Sequence, residues 1–216
     1  MSDLADKVLI VGGGGHCKVI IEVFRAMGRE PAGILDPHTK ESHVLGVAVL
    51  GGDDQIERLF EMGYRHAHVA IGLNSLRRRL GTKLKHLGFE LARALHPSAI
   101  ISPSAEVDEG VAVLPNAVIH TNAHVSGLAI INTGAIVEHD CFIGVAAHVA
   151  PRSVMGGGVV IEDEVLFGIG AVARPLSRVG ARAIVGAGAV VIGAVEPDSV
   201  VVGAPARAVK SRSETA

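Results

Sequence analysis

From Ile101 to Val191 every sixth residue is apolar, through Val107, Val113, Ile119, Val125, Ile131, Val137, Ile143, Val149, Met155, Ile161, Phe167, Ala173, Val179 and Val185. That makes sixteen consecutive positions without a slip, and thirteen of them are Ile or Val. Four residues after each large position runs a second series, from Ala105 to Ala189. Nine of its fifteen members are Ala, and none is larger than Val. Neither the 3.6-residue period of a helix nor the two-residue period of a strand gives this pattern. A unit of six with one large and one small inward residue describes short parallel strands joined by tight turns, each unit burying its apolar face on its neighbours. The residue before the small position is repeatedly of a type that tolerates positive φ: Asn116, Asn122, Gly134, Asp140, Gly158, Gly170 and Gly188.

Before residue 98 the pattern is different. Residues 7–11 (KVLIV), 32–36 (AGILD) and 68–72 (HVAIG) read as short buried strands. Residues 16–28, 53–63 and 75–88 carry helical periodicity, and 12–15 is a run of four glycines. Strands alternating with helices predict a small parallel sheet in an α/β domain. The boundary falls at 96–100, which divides the chain into an α/β domain over 1–97 and a repeat domain with a C-terminal tail over 98–216.

Composition fits a narrow, repetitive interior: 49% hydrophobic residues, 27 Gly, no Trp and only 3% aromatic. A net charge of −2 argues against a nucleic-acid partner, which needs a concentrated basic stripe. Cys17 and Cys141 make no disulfide framework, so a reducing cytoplasm is expected. No apolar run reaches the roughly 18 residues of a membrane span, and the first ten residues do not read as a secretion signal.

Two stretches could carry chemistry. The loop GGGGHCK (12–18) joins a strand to a helix, where backbone N–H groups and the helix dipole favour a phosphate. The alternative is a tight turn, since Cys17 stands where the dinucleotide fingerprint needs its last glycine. Asp36, at the end of the second strand, is placed to meet a nucleotide or simply to shape a turn before Pro37. The arginines 77–79 read as a solvated helix face. In the repeats, NTGAIVEHDCFIG (132–144) holds His139, two residues after inward Val137 and therefore outward, while Cys141 fills a small inward slot as packing. Asp140 is at once a turn residue and a partner for the imidazole. Residues 101–151 contain no Lys or Arg, which leaves an imidazole as the natural proton acceptor near neutral pH. His139 is thus a candidate general base, against an inert surface histidine; His120 and His124 read as surface or interface residues. His148 lies nine positions further on.

The repeats resemble the hexapeptide-repeat acyltransferases. The ordered motifs VGGGGHCKVI, ILDP, AIGLNSLRR, HPSAIISPSA, NTGAIVEHDCFIG, HVAP and VVGAPAR resemble one subgroup of them, the bacterial nucleotide-sugar acetyltransferases of the bacillosamine, perosamine and sialic-acid type. The resemblance implies a left-handed parallel β-helix, three hexapeptides to a coil, assembled as a homotrimer. It also implies a nucleotide-linked amino sugar held by the α/β domain, and acetyl-CoA as cosubstrate along the β-helix between two subunits. Metal is not required.

By the same resemblance Gly14, Gly15, His16, Asp36, Gly72 and Ser75 line the sugar-nucleotide site. His139 is the proton acceptor, Asp140 raises its basicity, His148 meets the acetyl group, and Ile169 and Ala187 meet the pantetheine arm. Two departures stand out: Pro37 where the subgroup often has a second acidic residue, and Asp140 where it often has Glu. The implied reaction is N-acetylation of a nucleotide-linked 4-amino-dideoxy sugar, with GDP-perosamine favoured, for surface polysaccharide synthesis. The alternatives are O-acetylation of the sialic-acid type, or a non-catalytic or zinc carbonic-anhydrase-like β-helix.

Overall fold

The computed structural model describes residue 4 and residues 6–211, and separates into two compact units, Met1–Pro97 and Ser98–Ala216. In the second unit two-residue strands recur every six residues and pair in parallel with the strand eighteen residues on: Val118↔Ile136↔Val154 on one face, His124↔Phe142↔Val160 on the next, Ile130↔His148↔Leu166 on the third. Three hexapeptides therefore make one coil, and the unit is a left-handed parallel β-helix. An antiparallel strand, Arg207–Ser211, pairs with Ser199–Val202 at the C-terminal end of one face.

The predicted inward positions are buried from Val111 to Val191, none more than 2% exposed. Ile101, Ala105 and Val107 are only half-buried, because they belong to the first coil and no coil precedes them to cover them. Between strands, one residue in six adopts the left-handed conformation without exception from Gly110 to Gly188, with φ between 53° and 69°. Eight of these positions hold Asn, Asp or Gly, the seven marked in the sequence and Gly110; the others are Leu128, Ala146, Arg152, Glu164, Leu176 and Arg182. For a residue with a Cβ this conformation costs roughly 1–2 kcal/mol. It is held by a backbone bond to the preceding coil, as in Leu128 N–H to Glu109 O (3.1 Å) and Leu176 N–H to Gly157 O (3.0 Å).

The first unit holds a sheet of order β3-β4-β2-β1-β5-β6, with β1 Val8–Val11, β2 Gly33–Leu35, β3 His43–Val44, β4 Val47–Gly51, β5 His66–Val69 and β6 Glu90–Leu91. All pairs are parallel except the β3–β4 hairpin. Its helices are α1 Gly15–Ala26, α2 Ile56–Glu61 and α3 Asn74–His86, and a 3-10 turn at Asp53–Gln55 replaces the start of the predicted second helix. The β3–β4 hairpin was not predicted, because its turn uses Leu45 and Gly46, both at positive φ, and Leu gives no turn signal there. β5 lies two residues earlier than the sequence suggested. His66 and His68 disguise its start as polar, yet His68 is 1% exposed, with Nδ1 2.8 Å from the Ala92 carbonyl and its ring edge-on to Phe24.

Ala135 is fully buried in the small inward series. Ala135→Phe is expected to lower stability by about 1–3 kcal/mol, the usual cost of overpacking, and thermal unfolding would measure it. An unchanged Tm would mean the register is wrong.

Burial pushes the His68 imidazole from its ordinary 6.5 down to about 4. The unfolded chain takes up this proton as pH falls through 6.5, whereas the folded chain resists until about 4. Stability from this group is therefore intact above pH 6.5 and lost progressively between 6.5 and 4, on the order of 3 kcal/mol in all. Urea midpoints at pH 7 and pH 4.5 should diverge, and His68→Gln should narrow the gap.

Candidate active site

In the first unit β1 runs into the glycine loop. Gly12 has φ +105°, and a Cβ there would lie 2.6 Å from Ile71 Cγ1, so only glycine fits. Gly13 N–H donates to Asp36 Oδ2 at 2.5 Å. Gly14 is the N-cap of α1, which has no capping side chain and no acidic residue in its first turn. A Cβ on Gly14 or Gly15 would meet nothing within 4 Å. The N-terminal end of α1, where the helix dipole is positive, thus borders open space, an arrangement suited to an anion.

That space is a cavity of about 360 Å³ at the carboxyl ends of β1, β2 and β5. The chain leaves β1 for β2 on one side, while β5 flanks it on the other, the crevice where such sheets bind ligands. The wall includes the predicted Gly14, Gly15, His16, Asp36 and Gly72. Ser75 is not part of it. Leu76, Arg79 and Leu80 are, and their spacing of three and four residues puts them on one face of α3. His38 and Asp53 line the cavity without having been singled out in the sequence, and Arg79, read there as part of a solvated helix face, lines it too.

The arginine run divides rather than forming one solvated face. Arg77 is 1% exposed, and its guanidinium donates to the Ile71 and Gly72 carbonyls (2.8 and 3.1 Å) and to Asn74 Oδ1 (2.9 Å). It fixes the β5–α3 loop that forms one wall, whereas Arg79 is exposed at the cavity. Asp36 is likewise committed to backbone: Oδ2 to Gly13, and Oδ1 to the N–H groups of His38 (2.7 Å) and Thr39 (3.0 Å). Burial alone would raise its pKa, but these three donors outweigh it and hold the carboxyl below the usual range.

In the β-helix, His139 and Asp140 occupy the turn between the strands Ile136–Val137 and Phe142–Ile143. Asp140 sits at φ 59°, as its turn position requires. His139 Nδ1 lies 2.7 Å from Asp140 Oδ2. A carboxylate only accepts, so Nδ1 carries the proton and Nε2 keeps a free lone pair. The hydrogen bond to Asp140 raises the imidazole pKa, and it lowers that of the carboxyl, which also accepts from Asn122 Nδ2 at 3.4 Å. Both side chains are more than half exposed. Cys141 is 1% exposed in its inward slot, its Sγ directed at the Gly156 carbonyl (3.3 Å), and burial pushes the thiol up, away from nucleophilic character.

His148 lies in a strand of the face opposite that turn, half-buried, with Asn132 Nδ2 3.0 Å from its Nε2. Ile169 and Ala187 are exposed and stack eighteen residues apart, joined through the Gly188 N–H to Ile169 O bond of 2.8 Å. His120 pairs with Glu138 at 3.7 Å and His124 with Asp108 at 3.2 Å, both on the surface. Among the described residues no three His, Cys, Asp or Glu side chains converge as a metal site would require, and no helix is long and apolar enough to cross a membrane.

Residues 7–84 match the family model described as the PglD N-terminal domain. Perosamine N-acetyltransferase from Caulobacter crescentus, solved as a histidine-to-asparagine variant with CoA and GDP-perosamine, is 43% identical over 95% of this chain and 97% of that one, with a TM-score of 0.93. The acetyltransferase domain of PglB from Neisseria gonorrhoeae FA1090 is 34% identical over 94% and 99%, with a TM-score of 0.90, and was also solved with acetyl coenzyme A. The UDP-N-acetylbacillosamine N-acetyltransferase of Bacillus subtilis (strain 168) is 35% identical over 110 residues, a match that spans about half of each protein, 50% and 51%. The fold is that of a hexapeptide-repeat acyltransferase. Within that class the chain belongs to the bacterial family of acetyl-CoA-dependent nucleotide-sugar N-acetyltransferases.

Proposed function

We propose that the protein moves the acetyl group of acetyl-CoA onto the amino group of a nucleotide-linked 4-amino-dideoxy sugar, with GDP-perosamine as the first substrate to test, in surface polysaccharide synthesis in the cytoplasm. The observation that carries this reading is the His139–Asp140 pair, a basic imidazole with Nε2 free on an outward turn. The complexes of the Caulobacter relative with CoA and GDP-perosamine support the choice of substrates. The glycine-lined cavity, with open space before the first turn of α1, supports a phosphorylated ligand there, a feature a purely structural β-helix would not need.

The chemistry follows from the pair. The neutral amine attacks the thioester carbonyl, a C–N bond forms, and the carbonyl oxygen becomes an oxyanion. His139 Nε2 takes the proton that the nitrogen must lose, and Asp140 stabilises the imidazolium. Collapse of the oxyanion breaks the C–S bond, and the imidazolium returns its proton to the departing CoA sulfur. On this reading His148 contacts the acetyl group, and Ile169 and Ala187 the pantetheine arm. His139 lies on the turn opposite the face that carries His148, so the site is completed by two chains of a homotrimer. The outward residues Ile100, Val118, Ile136, Val154, Val172 and Val190 make one face apolar from end to end, which supports such an assembly.

His139→Ala is expected to lower kcat by about 10²–10⁴-fold, the usual contribution of a positioned base, with acetyl-CoA binding kept. Asp140→Asn should lose less, because Asn also tolerates the left-handed turn. It should also move the acidic limb of the pH–rate profile to lower pH, since losing the negative neighbour lowers the imidazole pKa. Thiol release from acetyl-CoA with a panel of nucleotide sugars measures both. No turnover of any 4-amino sugar would sink the proposed function, and a His139→Ala enzyme keeping more than about a tenth of kcat would remove the base.

A shared site makes a second demand. Trimers assembled from a mixture of His139→Ala and His148→Ala chains should recover activity that neither variant has alone, because some interfaces pair an intact His139 with an intact His148. Mixed trimers as inactive as the parents would place both residues' work within one chain.

A further inference from the structure

Gly157 lies on the coil that follows the one bearing His139, eighteen residues later, in the run Met155–Gly156–Gly157–Gly158. Gly158 is glycine for its turn, with φ +67°, and Gly156 because a Cβ would strike Pro175 Cδ and Cγ at 2.6 Å. Neither reason applies to Gly157. Its φ is not in the left-handed region, and no backbone atom is among the three nearest to where its Cβ would be. Those three belong to the His139 imidazole: Cε1 and Nε2 at 2.5 Å and Nδ1 at 3.1 Å. The ring rests on the bare Cα of Gly157, and its proton-accepting edge occupies the volume that any other residue would fill. The bond from Gly158 N–H to the His139 carbonyl, 2.9 Å, holds the two coils in that register.

We infer that Gly157 is a positioning residue for the reaction, its missing side chain being the seat that holds His139 in line with Asp140. The inference rests on the assignment of His139 as the base. It follows from asking what gives way when a methyl group is added. The backbone of the coils is fixed by a ladder on both sides, but the imidazole turns about two single bonds. The ring therefore moves, leaving Asp140 Oδ2 and the place where it meets the amine. The cost falls on chemistry rather than on the fold.

The test is a double-mutant cycle on the full-length protein with acetyl-CoA and the nucleotide sugar that the panel selects, using Gly157→Ala, His139→Ala and the two combined. Gly193→Ala is the control, since a Cβ there meets nothing within 4 Å. Gly157→Ala is expected to lower kcat by about tenfold or more, a substantial part of what a positioned base contributes, with KM for both substrates little changed. It should also bring the His139 pKa, read by NMR titration of the resting protein, down towards the ordinary histidine value. In the His139→Ala background it should cost nothing further, because coupled residues are not additive. If Gly157→Ala lowers Tm, removing the imidazole must restore it.

Wild-type kcat in Gly157→Ala, an equal loss with or without His139, or a loss of Tm that persists in the double variant would overturn the inference. Failure of the base assignment has a different signature. His139→Ala would then stay active while the NMR titration still reported the displaced ring.

Discussion

In the β-helix every turn rests on the turn before it. From Leu128 on, the left-handed residue of each turn donates its N–H to the carbonyl nineteen positions back: Asp140 to Thr121, Gly158 to His139, Leu176 to Gly157, Gly188 to Ile169. Each bond is ordinary in strength, worth about 1 kcal/mol net. Together they fix the coil pitch, keep the eighteen-residue register, and leave side chains of neighbouring coils stacked in columns. A residue's surroundings are then set by those eighteen positions away rather than by its sequence neighbours. The column Thr121, His139, Gly157 is one case, and Ile169 with Ala187 is another.

The same constraint explains what the sequence could reveal. Inward slots recur every six residues and admit only apolar or small side chains, so the coil could be counted directly from Ile101 to Val191. The left-handed positions were legible only where Asn, Asp or Gly filled them. Leu128, Arg152 and Leu176 adopt the same φ because the ladder enforces it, and no local preference of Leu or Arg would announce that. Gly157 was hidden for a related reason: its requirement comes from a ring eighteen residues earlier. In the α/β unit, Arg77 looked like the rest of a basic run, and only the carbonyls of Ile71 and Gly72 distinguish it. The glycine loop and Asp36 were visible as motifs, but not that the Asp36 carboxylate is spent on backbone donors.

Asp36 and Asp140 show how one residue type does two jobs. Three backbone N–H groups converge on Asp36 and tie the end of β2 to the glycine loop, so its charge shapes the cavity wall. Asp140 meets one imidazole and one amide, both from side chains, and remains more than half exposed. Its charge is therefore available to follow the protonation of His139, which that of Asp36 cannot do. A half-buried carboxylate taken up by backbone donors organises; an exposed one bonded to a titrating ring tunes. The distinction depends on which donors arrive, and the donors depend on the coil or loop that carries them.

That dependence bears on the shorter carboxylate in the turn. The resemblance to this family leads one to expect Glu where this chain has Asp140, and a longer side chain would have more reach to the imidazole. Asp reaches it here at 2.7 Å because both residues lie in one tight turn and the ring has no side chain beneath it at Gly157. Asn122, one coil earlier, supplies a second bond to the same carboxylate. Seat, ring, carboxylate and amide thus span three successive coils, and each is placed by the eighteen-residue register. The geometry around the His139 imidazole is in this way a property of the stack as a whole.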